Sequence, residues 1–423
     1  MPEGVSVAPM RILLLSTYFR PDVASTGIIM SKLADEFVAR GHEVTVVTSV
    51  PHYDTNQVWP EFSKKLMFTE RAQSMRVHRL FTYVAKQKSN VAQRLLSYGS
   101  FSLLSFLRSI TLKRHDVILV PSPPLSNGVV ADFIGRIRGI PYVYNVQDIW
   151  PDVAVRAGIL KSPKTIARLA RMESYVYAHA AGISVISEGF RSNLLAKGVP
   201  DEKISVIPNF IDTDFIVPRA KPNAFSTAND LENKFVVLFA GNMGFSQGLE
   251  TVMDAAKVLE PISQIQFLLV GNGAGREDAL AHFAKVRPAN VRFLPFQPAE
   301  SLPNMYGSAD VCLIPLRRGF TSESVPCKMY TIMAAGKPSI ASVDPGSDTS
   351  ILLTRTGAGV CVTPEDPQAM ANAVLHYYRD SQSREEAGRR ARQCAETEFL
   401  PASIAERYIE ALQRAIRHGS QVK

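Results

Sequence analysis

Short apolar runs of strand length recur along this chain, separated by stretches in which apolar positions return every three or four residues. In the first half the runs are residues 10–17 (MRILLLST), 42–49 (HEVTVVTS), 116–120 (DVILV), 141–146 (PYVYNV), 181–186 (AGISVI) and 203–207 (KISVI). Runs this continuous predict strands buried on both faces. Their alternation with helical stretches, the first over about 28–40 and closed by Gly41, predicts a parallel α/β sheet of Rossmann type. Residues 208–231 break the alternation with a stretch rich in Pro, Asn, Asp and Ser, the composition of a linker. The pattern then restarts: VVLFA at 236–240, QFLLVG at 266–271, VRFLPF at 291–296, VCLIPL at 311–316, PSIAS at 338–342 and GVCVT at 359–363. A second Rossmann-like domain follows from it, and 423 residues at 46% hydrophobic content are indeed too many for one core. The expected organisation is a disordered segment 1–9, a first domain 10–215, a linker 216–231 and a second domain 232–400. An amphipathic C-terminal segment 401–423, helical over 402–418, returns toward the first domain. Where two such domains face each other, ligands are expected at the strand ends in the cleft between them.

The stretch 236–256, VVLFAGNMGFSQGLETVMDAA, reads as a buried strand, a glycine-bearing loop and a helix. Gly241 and Gly244 allow a tight turn and close approach of a ligand to the backbone. Gly248 precedes a helix with apolar Leu249, Val252, Met253 and Ala256, whose free N–H groups and positive dipole end face the loop. An anion such as phosphate fits there; a glycine turn kept for packing is the alternative.

Charge divides unevenly. Residues 1–200 hold 24 Lys and Arg against 14 Asp and Glu, and the remainder 23 against 25. Residues 64–114 alone carry 11 basic residues and one acid, Glu70. Within them, the uncharged interval between Arg94 and Arg108 is 13 residues, too short to cross a bilayer. It suits a helix in the headgroup region, with Leu95, Leu96, Phe101, Leu104, Phe106 and Leu107 entering an anionic membrane and arginines meeting its phosphates; a core helix with a basic solvated end is the alternative. No stacking ladder or nucleic-acid module accompanies the charge, so no nucleic-acid partner is expected. Cys312, Cys327, Cys361 and Cys394 lack CxxC spacing, which fits neither a metal knuckle nor a disulfide framework and suits a reducing cytoplasm. The opening MPEGVSVAP lacks the basic and apolar regions of a signal peptide. No metal is expected, because no DxD pair or His/Asp cluster stands at a suitable loop.

Four loops fall at strand ends of the second domain: 241–248, 271–273, 295–298 and the long RRGFTSESVPCKMYTIMAAGKPSIAS at 317–342. A helix followed by AAGKP and PSIAS, with GNMGFSQGLE about 80 residues earlier, resembles the donor-binding signature of retaining glycosyltransferases of GT-B fold, the large group called family four. QDIWPD at 147–152, VIPNFID at 206–212 and SVPCKMYTIMAAGKP make it most similar to bacterial sugar transferases of O-antigen, capsule and colanic-acid synthesis, including L-fucosamine transferases. The resemblance covers nearly the whole chain. It implies transfer of an N-acetylated amino or deoxy sugar from a nucleotide donor, UDP by preference, to a polyprenyl-diphosphate-linked saccharide. It also implies retention of configuration, no metal and no cofactor, at the inner face of the membrane. By the same resemblance Ser25 and Thr26 face the acceptor with Gln147, Gly27 faces the donor phosphates, and Asp148 reaches the transferred sugar. Gly241, Asn242, Gly244, Gln247, Gly248, Gly271 and Asn272 line the donor loops, and Glu323 with Ser324 touches the donor sugar hydroxyls.

Three departures stand out. The family's loop usually supplies an Arg and a Lys where this chain has Asn242 and Gln247. A leaving diphosphate still needs counter-charge, so Lys328 is the expected replacement, with Arg317 and Arg318 next; a solvated helix lysine is the alternative. Eight residues after Glu323, where the family holds ribose hydroxyls with a second glutamate, stands Thr331. Gln147 replaces a common histidine, and no side chain nearby is a nucleophile. That agrees with a front-face mechanism in which the departing phosphate oxygen takes the acceptor's proton. Asp148 has a turn-capping alternative. The competing functions are a nucleotide-sugar epimerase of the same shape and a scaffold without activity. A nicotinamide oxidoreductase is disfavoured, because neither half has GxGxxG followed by an acidic ribose ligand.

Overall fold

The computed structural model describes residues 8–53, 57–63, 65–72, 74–84, 91–156, 158–320 and 325–421, so most of segment 1–9 lies outside it. The chain divides into two compact units, Met1–Pro208 with Pro401–Lys423, and Asn209–Leu400.

The first unit runs β1 (Arg11–Leu15), α1 (Ser25–Ala39), β2 (Glu43–Ser49), β3 (Met67–Ala72), β4 (Met75–Leu80), α2 (Val91–Ile110), β5 (Val117–Pro121), α3 (Ser126–Arg138), β6 (Tyr142–Val146), α4 (Asp152–Arg156), α5 (Pro163–His179), β7 (Gly182–Val185), α6 (Glu188–Ala196) and β8 (Ile204–Val206). Its eight strands are ordered β3-β4-β2-β1-β5-β6-β7-β8 and are parallel except for the β3–β4 hairpin. Every strand expected from the apolar runs is present; the hairpin is additional. Residues along β3 are alternately exposed and half-buried, the mark of an edge strand without a continuous apolar run.

The second unit holds α7 (Ala224–Ala228), β9 (Phe235–Ala240), α8 (Leu249–Leu259), β10 (Ile265–Val270), α9 (Arg276–Val286), β11 (Val291–Leu294), α10 (Leu302–Gly307), β12 (Val311–Pro315), α11 (Lys328–Ala334), β13 (Ser339–Ser342), α12 (Asp348–Thr356), β14 (Gly359–Val362), α13 (Pro367–Arg379) and α14 (Ser381–Glu398). Its six strands, ordered β11-β10-β9-β12-β13-β14, are all parallel. The core is the inner faces of β9, β10 and β12 under α8 and α13, with Phe239, Phe267, Val252 and Val374 fully buried. The final helix, α15 (Pro401–Gln421), belongs to the first unit, where Tyr408 accepts a 2.9 Å hydrogen bond from Asn145 on β6.

Two stretches differ from the sequence reading. Residues 216–231 are an ordered part of the second unit: Asn223 and Ser226 cap α7 reciprocally, and Lys221 pairs with Asp310 at 2.8 Å. Helix α1 starts at Ser25, three residues earlier than its apolar spacing suggests, so Ser25, Thr26 and Gly27 form its first turn rather than a loop.

Strand order reverses beside β1 and β5 in the first sheet and beside β9 and β12 in the second. Ligands in open α/β sheets bind beyond the carboxyl ends of strands at such switch points.

Helices α2 and α3 pack side by side, Ser102 Oγ donating to Ser126 Oγ at 3.1 Å and Arg138 reaching the carbonyls of Ile110 and Leu112. Of the α2 residues expected to meet lipid, Phe101 is instead buried in the core (1% exposed), while Leu104 and Phe106 are half-buried. The side chains of Arg94 and Leu95 lie outside the described residues. Leu96, Leu103 and Leu107 face water, Leu103 at 60% exposure, and so do Phe133 and Ile137 on α3. The rotation follows from the helical period: Phe101, Ser105 and Ser109 form the inward stripe.

Candidate active site

The loops after β9 and β10 contain glycines, some of which admit contacts that a side chain would exclude. After β9 and β10 the chain is stitched by Gly241 N–H to the Val270 carbonyl (3.0 Å), Met243 N–H to that of Asn272 (2.9 Å) and Gly275 N–H to that of Met243 (2.8 Å). A Cβ on Gly271 would stand 1.9 Å from the Gly241 carbonyl oxygen, at a φ of +141° that side chains avoid. Asn272 is exposed and its Oδ1 accepts from Gly273 N–H; Asn242 is exposed beside Gly244 and Gly273. Gly248 caps the start of α8 and donates its N–H to the Pro315 carbonyl at 2.7 Å, which ties the loop to the end of β12.

Three cations were candidates for the missing counter-charge, and the structure separates them. Arg318 turns away, its guanidinium meeting the Pro364 carbonyl at 3.3 Å. Arg317 flanks the loop, its stem 3.7 Å from where a Gly248 Cβ would be, but its guanidinium is held by Glu250 of α8 at 2.7 Å. Lys328, the first residue of α11, reaches into the loop. Its Nζ donates to Gln247 Oε1 at 2.8 Å, lies 3.9 Å above the Phe239 ring and comes within 3.7 Å of where a Gly241 Cβ would project. Burial pushes this ammonium down to about 7. Thr331 lies one turn along α11, and Glu323 and Ser324 lie outside the described residues.

In the first unit Asp148 follows β6. Its carboxylate has no hydrogen-bond partner among the described residues, and burial alone raises it to about 7. Nearby, Asp22 Oδ1 accepts from the N–H groups of His52 (3.1 Å) and Tyr53 (2.8 Å), fixing the turn after β2. Tyr18 meets the Tyr53 ring edge-on at 5.2 Å. Burial, with the charges of Asp22 and Asp148, raises the Tyr53 phenol. Gln147 turns inward instead, its Nε2 donating to Asn145 Oδ1 at 2.8 Å within the buried Asn145–Ser184–Tyr408 network. Gly27 is buried against Tyr18, leaving 3.0 Å between a Cβ there and the Tyr18 Cβ.

Sequence reasoning missed Phe239, Glu250, Asp22 and Tyr53. Phe239 looks like any strand residue and Glu250 like any helix-start acid; pattern carries no sign of the ring under Lys328 or of the Arg317 partner. Among the described residues no group of three or more His, Cys, Asp or Glu could hold a metal ion.

The chain matches two family models, a glycosyl transferase 4-like domain over residues 26–209 and glycosyl transferases group 1 over residues 221–394. Over 376 residues it is 29% identical to an Escherichia coli K12 protein named as the colanic acid biosynthesis glycosyl transferase WcaI, covering 86% of this chain and 91% of that one. Sucrose-phosphate synthase from Thermosynechococcus elongatus superposes with a TM-score of 0.76 at 19% identity, covering 96% of this chain and 99% of the other. Anabaena HepE, solved with UDP and glucose, does so at 0.71 and 18% identity, covering 96% and 99%. At those identities the likeness is one of fold.

Proposed function

Starting from a chain that belongs to the glycosyltransferases of GT-B fold, a 4-like domain preceding a group 1 domain, we propose that it extends a bacterial surface polysaccharide on a lipid carrier. The donor is a nucleotide sugar, its diphosphate bound at 241–248 and at the start of α8; UDP is the preferred nucleotide, as in the HepE structure. The sugar is an N-acetylated amino or deoxy sugar and the acceptor a polyprenyl-diphosphate-linked saccharide. The observation that carries this reading is Lys328: a desolvated ammonium, bonded to a neutral amide and aimed into a glycine loop. A half-buried cation with no carboxylate partner among the described residues is costly unless an anion arrives.

In the proposed step the bond from the sugar C1 to the diphosphate oxygen breaks while the acceptor hydroxyl oxygen joins C1 from the same face. The hydroxyl proton passes to the departing phosphate oxygen, and entry from that same face retains configuration. Lys328 and the α8 N-terminus stabilise the charge that develops on the diphosphate, which is where electrostatic catalysis has most effect. Asp148, unpartnered and raised to about 7, accepts a hydrogen bond from a sugar hydroxyl. Because the acceptor is lipid-linked, the enzyme works at the inner membrane face, held by the basic and apolar surface of α2 and α3 with Lys164, Arg168 and Arg171 exposed on α5.

The test is a donor screen: purified protein, a panel of nucleotide sugars and a polyprenyl-diphosphate-linked amino sugar, read by mass spectrometry of the lipid. A gain of one sugar residue is expected. A donor isomerised while the lipid stays unchanged would instead identify an epimerase. Lys328→Ala is expected to lose at least about 100-fold in turnover while folding normally, and an unchanged rate would remove Lys328 from this role.

A further inference from the structure

Among the described residues the Lys328 ammonium has a single hydrogen-bond acceptor, the side-chain carbonyl of Gln247 at 2.8 Å. Its other neighbours are the Phe239 ring and the backbone at Gly241. The loop's acid, Glu250, is taken by Arg317 at 2.7 Å. A glutamate would fit at position 247 with the same shape and would give the lysine the counter-ion that a buried cation ordinarily has. The carboxamide supplies the geometry of an ion pair without its charge. Gln247 is itself fixed from both sides: its N–H donates to the Gly244 carbonyl at 3.0 Å, and it bridges to Leu316 beyond β12.

We infer that Gln247 is a positioning residue that aims Lys328 into the loop while leaving its positive charge unspent for an entering diphosphate. This rests on the reading that a nucleoside diphosphate binds at 241–248. A carboxylate at 247 would then have two opposite effects. It would stabilise the free protein by pairing with Lys328, and it would oppose the ligand by cancelling the cation and placing a like charge beside the phosphates.

The experiment is calorimetric titration of the full chain with UDP and with inorganic pyrophosphate, alongside thermal melting, for wild type, Gln247→Glu and Gln247→Met. Wild type is expected to bind both ligands. Gln247→Glu is expected to melt higher at pH 8 yet bind both more than about tenfold more weakly, with binding recovering as the pH falls and the new carboxyl protonates. Gln247→Met, which keeps the charge unspent but not aimed, is expected to bind several-fold more weakly with no such recovery. Binding by Gln247→Glu within twofold of wild type, or weaker binding together with a lower melting point, would overturn the inference and leave the donor-site reading standing. Failure of the wild type to bind either ligand would overturn that reading and the inference with it.

Discussion

Lys328 and Asp148 each sit where their charged form is disfavoured, one pushed down to about 7 and the other raised to about 7, with burial as the cause of both. Each shift is therefore also a statement about stability. For Lys328 the unfolded chain binds the proton more tightly between about 7 and 10.5, so the penalty is complete below pH 7 and fades as the pH rises toward 10.5. For Asp148 the folded state is the tighter proton binder between 3.8 and about 7, so its penalty is absent below 3.8 and complete above 7. Asp148→Asn is accordingly expected to stabilise the protein at pH 8, by about 2 kcal/mol after allowing for solvent near a half-buried group, and to do nothing at pH 3.5. Its turnover should fall at least about tenfold. Urea unfolding across this pH range checks the first part; a gain that persists at pH 3.5 would show that the stabilisation is not electrostatic. Lys328→Met should show the complementary profile, a gain at pH 6 that has largely faded by pH 10.

At the scale of elements, the glycines after β9 and β10 look alike in sequence but do different work. Gly271 is structural, since its φ of +141° and the Gly241 carbonyl exclude a Cβ. Gly244 has no positive φ, and a Cβ there would meet the amide of Asn242 at 3.3 Å and the hydroxyl of Ser246 at 4.0 Å. Gly271→Ala should therefore destabilise the fold by about 2–4 kcal/mol, whereas Gly244→Ala should leave the melting point within a degree or two and show its effect on UDP affinity. Equal losses of stability from the two would refute the distinction. The same contrast explains what was legible in the chain beforehand. Continuous apolar runs marked twelve strands of the two sheets, because strands buried on both faces leave an unbroken signature. The β3–β4 hairpin left none, being edge structure with exposed and half-buried residues in alternation on β3. Apolar spacing does not mark the start of α1, because Ser25, Thr26 and Gly27 carry none, and it does not reveal that Phe101 on α2 faces the core rather than lipid. Lys328 is reachable from sequence through a charge argument, since the loop lacks the cation that binding a diphosphate there would need. Phe239, Glu250 and Tyr53 are not, because each matters through a contact made across the fold rather than through spacing.

Over the whole molecule, the excess of basic residues belongs to the first 200 residues, and the remainder is slightly acidic. On α3 and α5 of the first unit the acids Asp132 and Glu173 are buried and engaged, Asp132 by Tyr175 and Arg136 and Glu173 by Lys197, and α2 has none. What reaches the surface is Lys113, Arg114, Lys164, Arg168 and Arg171, with Leu96, Leu103, Leu107, Phe133 and Ile137 exposed on α2 and α3. Among the described residues no helix is long and apolar enough to cross a membrane, and the proposed contact is with the surface of a bilayer. Two forces then contribute. Basic side chains near an anionic leaflet add about 1 kcal/mol each and are screened by salt; leucines entering the headgroup region contribute in proportion to apolar area and are not. The two can be separated by sedimentation with vesicles containing phosphatidylglycerol. Wild type should bind at low ionic strength and lose at least about tenfold in partition at 0.5 M salt. Leu103→Ser with Leu107→Ser should lower the partition at every salt concentration without changing the slope. Arg168→Gln with Arg171→Gln should flatten the slope and leave the high-salt value unchanged. UDP binding by both variants should match wild type, since both pairs lie in the first unit and residues 241–248 in the second. If the protein does not sediment with anionic vesicles even at low salt, the proposed membrane contact through this surface is wrong.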